Sequence, residues 1–444
     1  MVSIAIDFKS IWKDNEAGFL DLLSVVSVYD ETTVTDSMPC GKGINDALCF
    51  MKKRCQEAGF EIKEFDGHAF SASIGKGERI DIVSHLDVVE PGNDWTSDPF
   101  TPVNTQSYIR ARGSQDMKSG AWLSFLALKT LKEQNIELNK TFTLVYGTDE
   151  ERTMDDMRYY VSKAGYPAFA FTPDGQFPIT AGEKGALMWI CRSAYCGSLI
   201  YLKGGVQPNV ISPYAECEIK GNYVSLVLEK ISEYNYDGCC RLEGENTFIS
   251  INGKAGHASR PEHGENASIY LLRILNDIVD DRYLKEIYDT FYDAYGKGAD
   301  ISDGDRLTLN LGIINIADGS TEMFIDCRYP YGTGSDYLSE KLKIKLKDFT
   351  VELPYDDEPT YVEDSDPYVK ALKKAYEDVT HEECTSMISG GVSYSKVFKH
   401  SVAFGCVSAN SLMMAHQKDE TILKSDLYQA LEIYYRSLIN FLEI

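Results

Sequence analysis

Three short apolar runs in this chain are each followed, within a few positions, by a histidine or a carboxylate. The runs, which are rich in β-forming residues, are Ile80–Val83, Thr141–Tyr146 and Ala168–Phe171. Helical patterns lie between them, notably at Ala121–Gln134 and Met154–Ala164. Strands that alternate with helices predict an α/β fold with a mostly parallel sheet covered by helices. Because ligands bind outside the carboxyl ends of the strands in such sheets, we expect the polar residues after these runs to meet in one crevice.

The residues expected at that crevice are of the types that bind metal ions. Those that follow the runs are His85, Asp87, Glu150, Glu151 and Asp174, and the segments ARGSQDMKSG and AHQKDE add Asp116 and His416. Zinc prefers imidazole and carboxylate groups, and two neighbouring ions need a bridging ligand, for which a carboxylate is suited. We therefore predict a two-metal site whose ligands are His85, Asp116, Glu151, Asp174 and His416. The C-terminal segment must fold back onto the first domain for His416 to take part.

The charges of this set favour hydrolysis. Three ligand carboxylates leave one positive charge of two divalent ions unbalanced, and a bridging hydroxide, the nucleophile of such a reaction, would neutralise it. Asp87 lies two residues after His85, on the same face of an extended segment, where its carboxylate can fix the tautomer of that imidazole. Glu150 and Glu151 are adjacent and cannot easily serve one ion in the same way, so we assign Glu151 to the metal and Glu150 to the general base.

The pattern of apolar residues changes after Gly185, where β-like and helix-like stretches are mixed. The β-like stretches are Ala186–Arg192, Thr247–Ile251, Leu307–Ile314, Glu322–Arg328 and Thr350–Leu353, and the helix-like ones are Tyr214–Tyr234, Ala267–Val279 and Asp336–Leu346. This predicts an inserted α+β domain over residues 185–357. The catalytic domain is then formed by residues 1–184 and 358–444.

Composition narrows the range of partners and compartments. The 44 basic and 68 acidic residues give a net charge of −24, which argues against nucleic acid and anionic membranes as partners. The eleven cysteines include no C-x-x-C pair, so we expect free thiols and a cytoplasmic location. The first residues lack the apolar region of a signal peptide, which agrees with that expectation.

Four segments together resemble the co-catalytic zinc peptidases of family M20, with the PepV type of bacterial dipeptidase as the nearest branch. The segments are SHLDVVEPGNDW, RGSQDMKSG, GTDEE and FTPDGQFPI. The resemblance implies that Asp116 bridges two zinc ions, with His85 and Asp174 on one and Glu151 and His416 on the other. It also implies a cis peptide bond after Asp116, and it leaves Mn²⁺ or Co²⁺ open as the physiological metal.

The same resemblance extends to the substrate-binding residues. GHASRPEHGENA is similar to the family's lid motif and implies that His257 stabilises the oxyanion. PNVIS and DCRYP imply that Asn209 and Arg328 hold the substrate carboxylate. A glycine-rich loop would add Gly390, Gly391 and Ser393, and there the chain departs from the family, with Val392 in place of a glycine and Lys396 in place of an arginine. Because of these two departures, we expect the carboxylate end of the substrate pocket to differ from that of the family.

These features predict a zinc-dependent dipeptidase, with a small peptide as its substrate. The size of the inserted domain implies an extended lid and a monomer. One alternative keeps the metal site but hydrolyses an N-acyl amino acid or succinyl-diaminopimelate. A second alternative is a catalytically silent binding protein on the same scaffold, which the intact set of candidate ligands disfavours.

Overall fold

In the computed structural model, which describes residues 6–444, the chain forms two compact units. The terminal unit consists of Met1–Gly182 and Tyr361–Ile444, and the inserted unit consists of Glu183–Thr360. Within the described residues, no helix combines the length and the apolarity that crossing a bilayer requires. All eleven cysteines are free.

Helices and strands alternate through most of the chain. The helices are α1 Phe8–Leu23, α2 Lys42–Glu57, α3 Lys118–Glu133, α4 Asp155–Ala164, α5 Val224–Tyr234, α6 Ala267–Ile278, α7 Arg282–Phe291, α8 Ser335–Lys345, α9 Pro367–Thr380 and α10 Lys424–Phe441. The strands are β1 Glu61–Phe65, β2 Ala69–Gly75, β3 Glu78–His85, β4 Val103–Asn104, β5 Tyr108–Arg110, β6 Lys140–Gly147, β7 Phe169–Thr172, β8 Ile179–Glu183, β9 Gly185–Ala194, β10 Leu199–Gly204, β11 Tyr214–Lys220, β12 Asp237–Glu243, β13 Asn246–Asn252, β14 Thr308–Ala317, β15 Ser320–Tyr329, β16 Thr350–Asp357, β17 Thr360–Tyr361, β18 Ser386–Ser389, β19 Ser401–Ala403 and β20 Thr421–Leu423.

The large sheet of the terminal unit has the order β1-β2-β6-β3-β7-β19-β8-β17, and β18 pairs with β8. Strand β3 runs parallel to both β6 and β7, and β7 runs parallel to β19. The predicted α/β class is confirmed: these parallel pairs form the centre of the sheet, and the pairs β1-β2, β2-β6 and β19-β8 are antiparallel. The parallel register places His85 opposite Gly147, so the residues that follow β3 and β6 begin at one edge of the sheet.

Helix α3 supports the sheet from within the apolar core. Its residues Ala121, Trp122 and Leu126 are buried, as are most of its other side chains. Helix α10 packs against α3 and α9, which returns the C-terminal part of the chain to the first domain as the sequence required. The N-terminus of α3 directly follows Asp116 and Met117, so this buried helix anchors a candidate metal ligand.

The inserted unit contains an eight-stranded antiparallel sheet of order β12-β13-β11-β10-β14-β15-β9-β16, together with α5 to α8. The predicted α+β character is confirmed. The helix predicted over Tyr214–Tyr234 is wrong in its first half, because Tyr214–Lys220 is strand β11, paired with β10 and β13. Ala215, Cys217 and Ile219 alternate inward with full burial, a two-residue period that matches a strand better than a helix.

One buried carboxyl in the terminal unit lies inside the sheet, away from the predicted metal ligands. Asp81, on β3, is fully buried, accepts a hydrogen bond of 2.9 Å from the Tyr160 hydroxyl and lies 3.1 Å from the Arg79 guanidinium. Burial raises the pKa of Asp81 to about 6, although Arg79 and Tyr160 oppose the shift. The folded chain therefore holds this proton more tightly than the unfolded chain does.

We expect the free energy of unfolding to fall as pH rises from about 4 to about 6, because the stabilisation from protonated Asp81 is lost as pH passes the folded pKa. Asp81→Asn removes this titration. Over that pH range, the free energy of unfolding of the variant should therefore fall less than that of the wild type, and the difference should be up to about 3 kcal/mol. Urea titrations at several pH values measure the difference. Asp36→Asn, at an exposed position, is the matched control, and a pH dependence in Asp81→Asn equal to that of the wild type would contradict the assignment.

Candidate metal centre

The five predicted metal ligands come from five separate segments of the terminal unit. His85 ends β3, Glu151 follows β6, Asp174 follows β7, Asp116 precedes α3, and His416 lies between β19 and β20. The peptide bond between Asp116 and Met117 is cis, as the family resemblance implied. Three overlapping groups bring ligand atoms within 4.8 Å of one another, and these groups are His85–Asp116–Asp174, His85–Glu150–Glu151 and Asp116–Glu151–His416.

The Asp116 carboxylate lies between the two imidazoles. Its Oδ1 is 3.1 Å from His85 Nε2, and its Oδ2 is 3.1 Å from His416 Nε2. His416 Nε2 also lies 3.0 Å from Glu151 Oε2, while His85 Nε2 lies 3.9 Å from Asp174 Oδ2. Asp116 is thus shared by the His85–Asp116–Asp174 group and the Asp116–Glu151–His416 group, and it presents a different oxygen to each imidazole, which is the position of a bridging ligand.

The tautomer of His85 tests whether this cluster fits a cation. His85 Nδ1 lies 2.9 Å from the backbone carbonyl oxygen of Asp87, and because a carbonyl only accepts, Nδ1 carries the hydrogen. In the neutral ring, Nε2 then carries no hydrogen, and its lone pair faces an oxygen of Asp116 at 3.1 Å. Two acceptors at that distance need a proton or a metal ion between them, so the residues present fit a divalent cation.

The role of Asp87 differs in one detail from the sequence-based expectation. Its backbone carbonyl, rather than its carboxylate, accepts the hydrogen bond from His85, and carboxylate Oδ1 lies 3.5 Å from the ring. Carboxylate Oδ2 instead accepts a hydrogen bond of 3.0 Å from the backbone N–H of Glu151. Asp87 therefore orients two candidate ligands at once, one through its backbone and one through its side chain.

Glu150 and Glu151 point to different imidazoles. Glu150 Oε2 lies 4.0 Å from His85 Nε2, whereas Glu151 contacts His416. Burial raises the pKa of Glu150 well above its usual value; His85 opposes the shift, and the charges of Asp174 and Asp116 add to it. A carboxyl whose proton affinity is raised in this way is suited to accept and return a proton near neutral pH.

The two imidazoles hold protons tightly in the metal-free cluster. Hydrogen bonds to Asp116 and Glu151 raise the pKa of His416 to about 10, although partial burial opposes the shift. Burial opposes protonation of His85 as well, but its contacts with Asp116 and Asp87 outweigh that effect and raise its pKa. The negatively charged carboxylates that hold these protons would also attract metal ions.

A buried pair that the sequence did not reveal supports the turn carrying Glu150 and Glu151. Asp156, at the start of α4, accepts hydrogen bonds from the backbone N–H groups of Thr148 and Asp149, and the Tyr394 hydroxyl donates to the same carboxylate. Asp156 and Tyr394 are fully buried, and the Tyr394 ring meets the His85 ring edge to face at 6.0 Å. Tyr394 is the tyrosine of the glycine-rich loop, and only the long-range packing identifies its partner.

Several hydrogen bonds lie within the rest of that loop. The Ser393 hydroxyl accepts a hydrogen bond of 3.2 Å from the Ser395 backbone N–H and donates to the Ser395 hydroxyl. Gly391 donates its backbone N–H to Ser389 Oγ at 3.0 Å. Val392 is not among the described residues with positive φ, so a valine causes no backbone strain here and its side chain is 37% exposed.

The other predicted substrate residues lie in the inserted unit, where they form a local group. The backbone N–H of Ala258 donates to the carbonyl of Asn209 at 2.9 Å, which places His257 beside Asn209. Burial lowers the pKa of His257, and the charge of Arg328 lowers it further. Arg328 itself makes a two-bond ion pair with Asp326, at 3.0 and 3.1 Å.

Comparison with known proteins connects this geometry to a family. The profile of "Peptidase family M20/M25/M40" matches residues 82–440. The Bacillus subtilis (strain 168) protein "Putative dipeptidase YtjP" is 31% identical over 440 residues, which cover 94% of this chain and 95% of that protein.

Solved structures share the fold. Human carnosine dipeptidase 1 matches with a TM-score of 0.60 and 12% identity, over 98% of each chain. The M20 family metallo-carboxypeptidase Sso-CP2 of Sulfolobus solfataricus matches with a TM-score of 0.57 and 18% identity, over 97% of this chain and 100% of the other.

We expect Tyr394→Phe to lower the stability of the terminal unit by about 1–3 kcal/mol, because it removes a hydrogen bond to a buried carboxyl. Thermal unfolding of the metal-free protein measures the loss. Tyr166→Phe, whose ring is half exposed, is the control and should leave the midpoint unchanged. Equal midpoints for Tyr394→Phe and the wild type would show that the Asp156 carboxyl does not depend on this hydroxyl.

Proposed function

Because this chain belongs to peptidase family M20/M25/M40, a family of metal-dependent hydrolases, we propose that it is a two-metal dipeptidase. The observation that carries the proposal is the Asp116 carboxylate, which presents one oxygen to His85 and the other to His416, each at 3.1 Å. A carboxylate shared in this way lets two ions lie side by side. The dipeptide as substrate is supported by the name of the Bacillus subtilis relative.

His85, Asp116 and Asp174 would hold one ion, and Asp116, Glu151 and His416 the other. Two bound zinc ions would polarise the peptide carbonyl and lower the pKa of water between them. Imidazole–carboxylate sites also accept Mn²⁺ or Co²⁺, so the metal that is available decides which ion occupies them.

Glu150 would move the protons of the reaction. Its raised pKa and its position 4.0 Å from His85 suit a carboxylate that takes a proton from the attacking water and then delivers it to the nitrogen of the leaving amine. Asp87 would keep His85 in the tautomer that leaves Nε2 free for the metal, through the carbonyl contact of 2.9 Å.

The remaining contacts would hold the dipeptide. In the inserted unit, His257 would donate a hydrogen bond to the developing oxyanion, and its lowered pKa makes the neutral, N–H-bearing ring the main form at neutral pH. Asn209 and Arg328 would bind the C-terminal carboxylate. Asp326 accepts from Nε and from one N–H of Nη2, so this ion pair leaves the Nη1 donors and the second N–H of Nη2 of Arg328 for a substrate carboxylate. In the terminal unit, the Gly390–Gly391 backbone and Ser393 are the further groups that we propose for substrate binding.

We expect Glu150→Gln to lower kcat for a dipeptide by about 10²–10⁴-fold, because the side chain can no longer accept a proton. Its metal content, measured by elemental analysis, should stay equal to that of the wild type if Glu150 is the base and Glu151 the ligand. Glu61→Ala, at an exposed position of β1, serves as the control. Full turnover in Glu150→Gln, or loss of metal from it, would show that the two glutamates have been assigned incorrectly.

A substrate panel separates the dipeptidase from its nearest alternative. We expect the purified protein, after treatment with a chelator and reloading with Zn²⁺, Mn²⁺ or Co²⁺, to have a higher kcat/KM for dipeptides than for N-acyl amino acids or succinyl-diaminopimelate. The chelated protein should be inactive until metal is restored. Faster turnover of the acylated compounds would identify a deacylase with the same metal site, and no metal-dependent hydrolysis of any compound would overturn the proposed function.

A further inference from the structure

The residue next to the shared carboxylate has a buried side chain that is directed to the segment carrying His416. Gln115 is 3% exposed. Its Nε2 donates to the carbonyl oxygens of Leu412 at 3.0 Å and Thr421 at 2.8 Å, and its Oε1 accepts from the backbone N–H of Met414 at 2.7 Å. One amide thus makes three hydrogen bonds to backbone groups, and the residues that provide these groups lie on both sides of His416 in the sequence.

The backbone of Gln115 is held in return by a residue from the same C-terminal segment. The fully buried Glu420 accepts hydrogen bonds through Oε1 from the backbone N–H groups of Gln115, at 2.6 Å, and Asp116, at 3.1 Å. Its Oε2 accepts from Gly113 N at 3.0 Å and from Arg112 Nη1 at 2.8 Å. The loop that carries Asp116 and the segment that carries His416 therefore clamp each other through two buried side chains.

His416 needs such support because no helix or strand holds its backbone, although Arg112 Nη1 also donates to the carbonyl of the neighbouring Gln417 at 3.3 Å. It lies outside the helices and strands, has a φ of +62°, and its side chain is 51% exposed. The contacts of its Nε2 are those to Asp116 and Glu151, at 3.1 and 3.0 Å. Metal ligands must be held to within a few tenths of an ångström, and neither packing nor regular structure does so for this ring.

We propose that Gln115 is a positioning residue for His416 and that it thereby sets the affinity of the metal subsite formed by Asp116, Glu151 and His416. The inference rests on the two-metal site of the proposed function and extends it to a residue that touches neither metal nor substrate. The subsite formed by His85, Asp116 and Asp174 depends on this amide much less, because His85 ends a central strand and its Nδ1 is held by Asp87.

The experiment measures Co²⁺ binding to the metal-free, full-length protein by calorimetry, with visible absorption reporting the ligands of each ion. The variants are Gln115→Met, which keeps the length of the side chain but not its hydrogen bonds, His416→Ala, and the double variant. Gln176→Met is the matched control. The Gln176 amide also donates to three backbone carbonyls of this segment, but those of Ser408, Ala409 and Ser411 all precede His416 in the sequence.

We expect the wild type to bind two Co²⁺ ions, and Gln115→Met and His416→Ala each to weaken the same one of the two binding steps by at least about tenfold. Because Gln115 acts through His416, adding Gln115→Met to His416→Ala should change the affinity by less than about twofold. A purely structural role would lower the unfolding temperature without this selective loss. Gln176→Met should leave both binding steps within about twofold of the wild type.

Several results would overturn the inference. The inference is wrong if Gln115→Met leaves both binding steps unchanged or weakens both equally. It is also wrong if the effects of the two substitutions multiply in the double variant. Each of these results leaves the two-metal proposal intact. If Gln115→Met does not fold, Gln115→Asn, whose shorter amide cannot reach all three backbone groups at once, is put to the same test. A wild-type chain that binds a single Co²⁺ ion would overturn the two-metal proposal, and this inference with it.

Discussion

The contact between the Asp116 carboxylate and two imidazoles is the constraint on which the rest of the terminal unit depends. A carboxylate this close to two imidazole nitrogens needs a proton or a metal ion at each contact, so the geometry that holds protons in the metal-free chain is also suited to metal binding. Holding it requires that a central strand, the start of a buried helix and the C-terminal segment meet within a few ångströms. His85, Asp116 and His416 come from these three elements.

Buried carboxylates outside the predicted set of metal ligands perform much of this assembly. Glu420 holds the backbone of the loop before α3, and Asp156 holds the turn after β6. The Asp87 carboxylate accepts a hydrogen bond from the backbone N–H of Glu151. Each accepts hydrogen bonds from backbone groups that regular structure leaves unpaired, which offsets the cost of burying the carboxyl. The candidate centre is thus surrounded by a second set of acidic residues, whose role is to fix the backbone.

The motif residues and the α/β class were accessible from the sequence because each signal is local. An apolar run followed by His85 or Asp174 predicts both a strand and a ligand at its end. The contacts of Asp156 with Tyr394 and of Gln115 with Met414 were not accessible, because the two residues of each pair lie more than two hundred positions apart along the chain. The error at Tyr214–Lys220 has a different origin: this strand adjoins a true helix, and the combined stretch conceals a two-residue period.

The sequence by itself determined the family, the fold class and the identity of the acidic and imidazole groups, since strand ends and ligand types are encoded in a few consecutive residues. Only the tertiary structure decided how those groups face one another. It placed Glu150 beside His85, gave the hydrogen bond from His85 to the backbone carbonyl of Asp87, and joined Gln115 to the segment around His416. Such choices depend on distances between segments remote in sequence, which are set by the packing of the whole terminal unit.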